Sequence, residues 1–334
     1  MSAGKAFTWT TTSDEVVKAY ADSVKGRTFL VTGAGTQSLG GETAISLARN
    51  ASPAQLILPG RSLNTLSPVI DEIKAINKNV KVYYVPLDLS DPSSTRRAAE
   101  EILNNPEIEK IDVVINCAGV MGTPYIQTAY KDKDGKPLEL QFSVNHLGHF
   151  LFTSIIFPKV RKAAPGARIV NVTSFGHRFT AVKFDDLGFS AGAKYDTIDA
   201  YGQSKTANIL MARYLADNIP SKEIASFAVH PGGIMETRLA RFESDTGFVQ
   251  DAIERIQKMP DVNYDVLQQL KNIPQGASTI LVAALDPSIE AQSGAYLDDC
   301  QIGTAAEYAQ NKENSEKLWK LSEEIVGQKF PISA

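Results

Sequence analysis

The sequence predicts an α/β protein: a single doubly wound domain whose seven-stranded parallel sheet carries helices on both faces. Three observations predict it. Short, nearly continuous apolar runs recur along the chain, as strands buried on both faces require. Helix-length stretches separate them, suited to parallel crossovers and too long for tight hairpins. A glycine-rich turn joins the first run to the first of those stretches, at the end of the sheet where such folds bind ligands.

Strands are expected at 28–32, 55–58, 81–86, 111–116, 168–173, 223–229 and 295–297, with helices near 41–50, 62–77, 92–104, 138–162, 200–219 and 275–285. Asp91 before Pro92 supplies an N-cap and a first-turn proline for the helix at 92–104. The sheet domain is assigned to 26–330, after an N-terminal extension over 1–25. In that extension 13–24 reads as a short helix, with Thr12 and Glu15 at capping-box spacing. Two stretches break the rhythm: 175–199, rich in Phe, Gly, Asp and Lys, and 234–273, of which 238–273 reads as extra helices. Long connections in compact α/β domains are usually functional, so both are expected to wall a substrate site.

With 334 residues, 43% hydrophobic and 22% charged, the composition fits an ordinary globular domain. A net charge of −4 provides no basic surface for nucleic acid. No apolar run approaches the roughly 20 residues of a membrane span, so no integral membrane segment is expected. Residues 1–12 lack the basic start and apolar stretch of a secretory signal. Cys117 and Cys300 are too few for a disulfide framework and lack metal spacing. A reducing, cytoplasmic setting is expected, and a homo-oligomer stays open.

Thr28-Phe29-Leu30-Val31-Thr32 runs into Gly33-Ala34-Gly35-Thr36-Gln37-Ser38-Leu39-Gly40-Gly41 and then a helix start. Strand, glycine turn and helix N-terminus aim backbone N–H groups and a helix dipole at a pyrophosphate, and glycine lets the chain approach without a Cβ. A purely structural turn would use the same residues. The next strand ends Leu58-Pro59-Gly60-Arg61, without the acidic residue that grips a free ribose 2′-hydroxyl. Arg61 can meet a 2′-phosphate instead, which favours NADP(H), with NAD(H) as the alternative; the bland reading is a solvated arginine.

Tyr201-Gly202-Gln203-Ser204-Lys205 sets a phenol and an ammonium four apart on one helix face. A phenol near pKa 10 is a poor acid–base at neutral pH, and a nearby ammonium is expected to lower it. The pair therefore reads as a proton shuttle tuned by a lysine. The spacing alone is cheap: Tyr308 and Lys312 repeat it, without a serine-bearing strand beside them, and read as a surface helix pair. Beside the first copy, Ser174 ends the buried-strand pattern Ile169-Val170-Asn171-Val172-Thr173, where a hydroxyl can bind a substrate oxygen. Asn116-Cys117-Ala118-Gly119 closes the fourth strand with small residues suited to backbone against a flat cofactor. Asn145 stands mid-helix, a poor place for asparagine unless its amide has a task.

Together these residues resemble the short-chain dehydrogenase/reductase family, in the branch of retinol dehydrogenases and WW-domain oxidoreductases with similar fungal enzymes. The likeness runs over residues 26–327 and also takes in Leu87-Asp88-Leu89 and His230-Pro231-Gly232-Gly233. It implies a Rossmann fold and an NADP(H)-dependent interconversion of alcohol and carbonyl on an apolar small molecule: a retinoid, steroid, lipid aldehyde or secondary metabolite. It implies that Tyr201 is the acid–base and that Ser174 orients the substrate oxygen. Lys205 would bind the nicotinamide ribose and lower the tyrosine pKa, and Asn145 would hold a relay water. On the cofactor side it implies Gly33, Ser38 and Gly40 in the phosphate turn, Arg61 at the 2′-phosphate and Asp88 at adenine. Asn116 and Gly119 would meet a ribose, Pro231 and Gly232 the nicotinamide carboxamide, and Leu39, Leu89, Ala118 and Ile234 are further contacts.

The chain departs from the family in three places. One residue is inserted in the turn Thr-Gly-x-x-x-Gly-x-Gly, with Ser38 at the middle glycine's place, so altered phosphate contacts are expected. Cys117 replaces the second asparagine of Asn-Asn-Ala-Gly, and Thr237 stands about one position off the family threonine.

Other signals have plainer readings. His146 and His149 read as packed histidines, and no metal is expected. Lys131-Asp132-Lys133-Asp134-Gly135-Lys136 resembles part of a calcium loop without its closing glutamate and reads as a polar turn. Residues 316–324 read as an amphipathic helix packed on the domain. Phe175, Phe179, Phe184, Phe189, Phe242 and Phe248 in the long loops suggest an apolar substrate. Two rival classes remain: a nucleotide-sensing binding protein without turnover, and an assembly subunit supported only by terminal helices.

Overall fold

Phe29, Leu30 and Val31 are all fully buried, yet Leu30 joins one hydrophobic core while Phe29 and Val31 join another. Successive side chains of a strand point to opposite faces, so a strand with no solvent side needs cover on both. The computed structural model, which describes residues 7–259 and 269–332, provides that cover. Its strands are β1 (Thr28–Val31), β2 (Gln55–Gly60), β3 (Lys81–Pro86), β4 (Val113–Asn116), β5 (Gln127–Lys131), β6 (Pro137–Glu139), β7 (Ala167–Val172), β8 (Ile224–His230), β9 (Tyr296–Asp298) and β10 (Gln301–Gly303). The main sheet runs β10-β9-β8-β7-β4-β1-β2-β3. β1 pairs in parallel with β2 on one side and β4 on the other. Winding reverses there, so a crevice opens beyond the carboxyl ends of β1 and β4.

The sheet has eight strands where seven were expected. β9 turns back into the antiparallel β10 through Asp299 and Cys300, both with positive φ, as tight hairpin turns require. β5 and β6 form a separate antiparallel hairpin, so the helix expected from 138 begins only at Leu140. The calcium-like stretch is this hairpin's turn: Asp132 Oδ1 accepts the N–H groups of Asp134 and Lys136, both at 2.9 Å.

The helices are α1 (Ser13–Ala19), α2 (Leu39–Asn50), α3 (Leu63–Ile76), α4 (Pro92–Asn104), α5 (His149–Arg161), α6 (Thr197–Asn218), α7 (Phe248–Gln257), α8 (Ile273–Leu285) and α9 (Lys312–Val326). α4, α5, α6 and α9 cover one face, and α1, α2, α3 and α8 the other. Asp91 caps α4 by accepting the Ser93 N–H at 2.8 Å. In the N-terminal extension, Val16 and Val17 of α1 are fully buried in the second core. Trp319 of α9 stacks on Tyr214 at 4.2 Å and meets Phe150 edge-on at 4.8 Å. Burial at roughly 1.5–3 kcal/mol per large apolar side chain ties α9 to the domain. The insert after β8 contributes α7 and short turns at Arg238–Ala240 and Glu243–Thr246, while 260–268 of the expected extra helices lie outside the described residues. No helix among the described residues is long and apolar enough to cross a membrane.

Candidate active site

The crevice is floored by backbone. Gly33 has φ +71°, and a Cβ there would lie 2.7 Å from Ala118 Cα; at Gly40 it would lie 2.7 Å from the Gly33 carbonyl oxygen. β1, the turn and the 117–119 segment therefore touch with no side chain between them, which suits a flat, phosphate-bearing ligand. The inserted residue is absorbed at Gln37, which takes the left-handed φ of +54°. Ser38 is consequently extended and caps α2, its Oγ accepting the Gly41 N–H at 3.0 Å. A glycine is no longer needed at that place.

Ser174 stands just past the carboxyl end of β7, its Oγ accepting the Gly176 N–H at 3.1 Å and lying near the Tyr201 hydroxyl. Tyr201 lies in the first turns of α6, whose start Asp196 caps by accepting the Ile198 and Asp199 N–H groups at 3.0 and 2.9 Å. The ring is clamped: a Cβ on Gly176 would sit 2.8 Å from it, and Phe248 packs edge-to-face at 5.5 Å. Burial pushes the Tyr201 phenol up to about 12, with the Ser174 hydrogen bond pulling the other way. This corrects the expectation that Lys205 lowers it. The Lys205 ammonium lies 5.5 Å from the ring centroid and donates to the Val172 carbonyl at 3.2 Å, addressing the ring and a strand end rather than the hydroxyl. Burial also lowers Lys205 to about 8, with Cys117 pulling back upward.

Asn145 falls in a single wider turn of π-helix, Ser143–Gly148, before α5, a distortion frequent at functional sites. Its Oδ1 accepts the Val120 N–H at 2.8 Å, and its Nδ2 donates to the Val120 carbonyl and to Ser204 Oγ, both at 2.9 Å. Gly119 completes the cluster, since a Cβ there would lie 3.2 Å from Asn145 Oδ1 and 3.6 Å from Lys205 Nζ. Tyr201, Lys205, Ser174, Asn145 and Gly119 are thus gathered at one end of the sheet.

Other expected residues are placed differently. The Asn116 amide is buried between Thr153 Oγ1 at 3.2 Å and Asn171 Oδ1 at 2.9 Å, so its side chain joins β4 to its neighbours and only its backbone is left for a cofactor. Asp88 Oδ1 accepts from Ser90, N–H at 2.9 Å and hydroxyl at 2.7 Å. Leu89 packs where a Cβ on Gly148 would stand, and Leu39 and Ile234 converge over Gly276. Gly232 has φ +96° against the Lys271 side chain; Pro231 before it is buried, and Arg61 is exposed. Thr237 Oγ1 accepts the Leu239 N–H at 3.4 Å. Burial pushes the Cys117 thiol up to about 12. Phe179 and Phe248 cluster with Tyr201, and Phe175 meets Phe179 edge-on at 6.2 Å. Phe189 is buried against Tyr195, and Phe184 packs on the core.

Three histidines that sequence reasoning did not enlist brace this site. His177 Nε2 accepts the Ala306 N–H at 3.1 Å, so Nδ1 carries the proton and donates to the Ser174 carbonyl at 2.7 Å. His230 Nδ1 accepts the Phe175 N–H at 3.2 Å. His149 lies between Thr32 Oγ1 at 2.9 Å and the Asn145 carbonyl at 3.2 Å. Burial holds His177 and His230 near 3 and His149 near 4, so all three are neutral braces. Their one sequence signal is position, each within four residues of Ser174, Pro231 or Asn145.

A backbone-floored cleft at the switch point, with a proton-bearing phenol at its edge, defines an oxidoreductase that uses a nicotinamide dinucleotide. The family profile described as short chain dehydrogenase matches residues 27–185. Retinol dehydrogenase 12 of Mus musculus is 35% identical over 305 residues, spanning 91% of this chain and 87% of that protein. Retinol dehydrogenase 11 of Homo sapiens is also 35% identical, over 303 residues, 90% of this chain and 86% of that one. The chain belongs to the short-chain dehydrogenase family and is an oxidoreductase acting on CH–OH groups with NAD(P)(H). Among solved structures, an uncharacterized protein from Mycobacterium Paratuberculosis has a TM-score of 0.65 and 27% identity, covering 92% of this chain and 96% of that one. NADPH-bound carbonyl reductase from chicken fatty liver shares the fold at a TM-score of 0.56 and 20% identity, over 84% of this chain and 100% of that one.

Proposed function

We propose that the chain interconverts an alcohol and a carbonyl on an apolar small molecule of retinoid, steroid or lipid-aldehyde type, and that it prefers NADP(H). The observation that carries this reading is the buried Tyr201 phenol set beside Ser174 at the glycine-floored crevice. Retinol dehydrogenase relatives support the substrate class, as do the aromatic side chains packed around Tyr201. Arg61 at the end of β2, with no acidic residue beside it in sequence, supports the phosphate preference.

The turn at Gly33–Gly40, Arg61, and the backbone of Asn116, Ala118 and Gly119 would hold the dinucleotide, with Pro231, Gly232 and Ile234 at its nicotinamide end. Bound there, it supplies the reducing or oxidising equivalent. The chain's own residues handle the proton. Ser174 Oγ and the Tyr201 hydroxyl hold the substrate oxygen, and Tyr201 donates to it as a carbonyl becomes an alcohol. A phenol lifted from 10 to about 12 stays protonated at neutral pH, which favours reduction. Lys205 would meet the nicotinamide ribose, and Asn145 would anchor the relay water.

The test is NADPH oxidation with a panel of apolar aldehydes and ketones. Turnover is expected, and tight NADPH binding without turnover on any of them would leave only the sensor reading. Arg61→Asp should move the ratio of kcat/KM toward NADH by about tenfold or more, on the scale of a charge-assisted contact; an unchanged ratio removes Arg61 from phosphate reading.

A pH dependence follows from Lys205. Its charge is present below about 8 and lost above it, whereas Tyr201 titrates near 12. The histidines around it are neutral throughout. The kcat/KM for NADPH, which reports the free enzyme, should therefore fall as pH rises through about 8. A flat profile to pH 9.5 would show that the lysine charge is not used.

A further inference from the structure

We propose that Arg238 and Arg241, on the insert after β8, join Arg61 in a cationic clamp on the 2′-phosphate of NADP(H), so that the substrate-side loop also reads the cofactor. This rests on the NADP(H) preference proposed above and adds two specificity-determining residues to it.

The glycine turn is where the two segments meet. Thr36 donates its N–H to the Thr65 carbonyl at 3.0 Å, tying the turn to the stretch that begins at Arg61. The next residue, Gln37, accepts the Arg238 N–H on its carbonyl at 3.3 Å, tying the same turn to the insert. Gln37 is the left-handed residue that absorbs the insertion, so the feature that sets this turn apart is also the one that engages Arg238. Arg241 then folds back. Its guanidinium donates to the Arg238 carbonyl at 3.2 Å and lies over the Phe242 ring, 4.9 Å from its centroid.

Both contacts position Arg241 without neutralising it. Burial lowers its pKa, and the charges of Arg61 and Arg238 lower it further, which places both of those guanidiniums within electrostatic reach of Arg241. Among the described residues the arginine ion pairs involve Arg27, Arg49, Arg213 and Arg255, and none of these three. Clustered cations without an ion-pair partner among the described residues repel. A phosphomonoester carrying close to two negative charges offsets that repulsion, and planar guanidinium forks match its oxygens. The dinucleotide's pyrophosphate is the other anion near the turn, but NADH carries it too, so the two are separable.

The experiment measures binding of NADPH, NADH and adenosine 2′,5′-bisphosphate to the full chain by nucleotide fluorescence and calorimetry. Wild type is compared with Arg238→Gln, Arg241→Gln, the double variant and Arg61→Gln. The double variant should bind NADPH and the bisphosphate about tenfold or more weakly, with NADH affinity held within about twofold as the control for folding. Unchanged NADPH affinity in the double variant overturns the clamp, as do equal losses for NADPH and NADH, which would mark a pyrophosphate contact or a damaged fold. If Arg61→Gln alone abolishes the preference, the NADP(H) reading stands and the clamp falls. If wild type binds NADPH and NADH alike, the reading itself fails.

Discussion

Tyr201→Phe should lower kcat for carbonyl reduction by at least about 10²–10⁴, the range of general acid–base catalysis, while NADPH binds with wild-type affinity. The substitution removes one oxygen and leaves the ring where it is, because Gly176 and Phe248 hold it through its carbons. Among the described residues the hydroxyl makes no bond to the main chain, and Ser174 Oγ keeps the Gly176 N–H at 3.1 Å without it. Stability should change little. Steady-state kinetics with NADPH and the best carbonyl substrate, beside a fluorescence titration of NADPH, separates the two effects. Wild-type turnover in this variant would remove Tyr201 from the chemistry. Weakened NADPH binding with normal turnover would make it a cofactor contact only.

The parallel core was legible because buried strands and their crossover helices leave long, repetitive signals. β3 runs over the residues expected, Lys81–Pro86, and α4 over 92–104 with its Asp91 cap. β10 was not legible, since a strand of Gln301, Ile302 and Gly303 has one apolar residue and depends on a turn made by Asp299 and Cys300 rather than glycine. β6 was hidden for a related reason: its Leu138 adjoins the apolar residues of the following helix and reads with them as one run.

At the site, the residue types and spacing of Ser174, Tyr201 and Lys205 could be read from the chain, because the proposed chemistry calls for particular atoms. What surrounds them could not. The lysine's contact with the Val172 carbonyl and the bond from His177 to Ser174 depend on how distant segments close, which periodicity does not encode. The repeat at Tyr308 and Lys312 shows the same limit. The two residues fall on separate helices, the short turn Glu307–Gln310 and α9, broken at Asn311, and the Tyr308 hydroxyl donates to the His177 carbonyl at 2.7 Å. Tyr308 is therefore a brace on the serine loop and not half of a surface pair, while Lys312 faces solvent.

Gly33→Ala should both destabilise the fold and abolish NADPH binding. Two costs add at this position. Left-handed backbone costs an alanine about 1–2 kcal/mol, and the new Cβ would press on Ala118 Cα at 2.7 Å and Ala118 N at 2.9 Å. Those atoms are main chain just past the end of β4, which is paired on both sides by β1 and β7, so they cannot swing away as a side chain could. Overpacking against a fixed neighbour costs roughly 1–3 kcal/mol more, and the sum is a large part of a typical stability of about 5–15 kcal/mol. A fall in Tm of roughly 5–15 °C is expected. Gly35→Ala is the control, because its Cβ would meet Thr65 O at an ordinary 3.4 Å and no left-handed φ opposes it. Thermal unfolding with and without NADPH reads both effects, since a ligand that binds only the folded state raises Tm. Gly35→Ala should keep the NADPH-induced rise and Gly33→Ala should lose it. If Gly33→Ala keeps it, the dinucleotide does not lie on this backbone floor, and the placement of Tyr201 beside a bound nicotinamide fails with it.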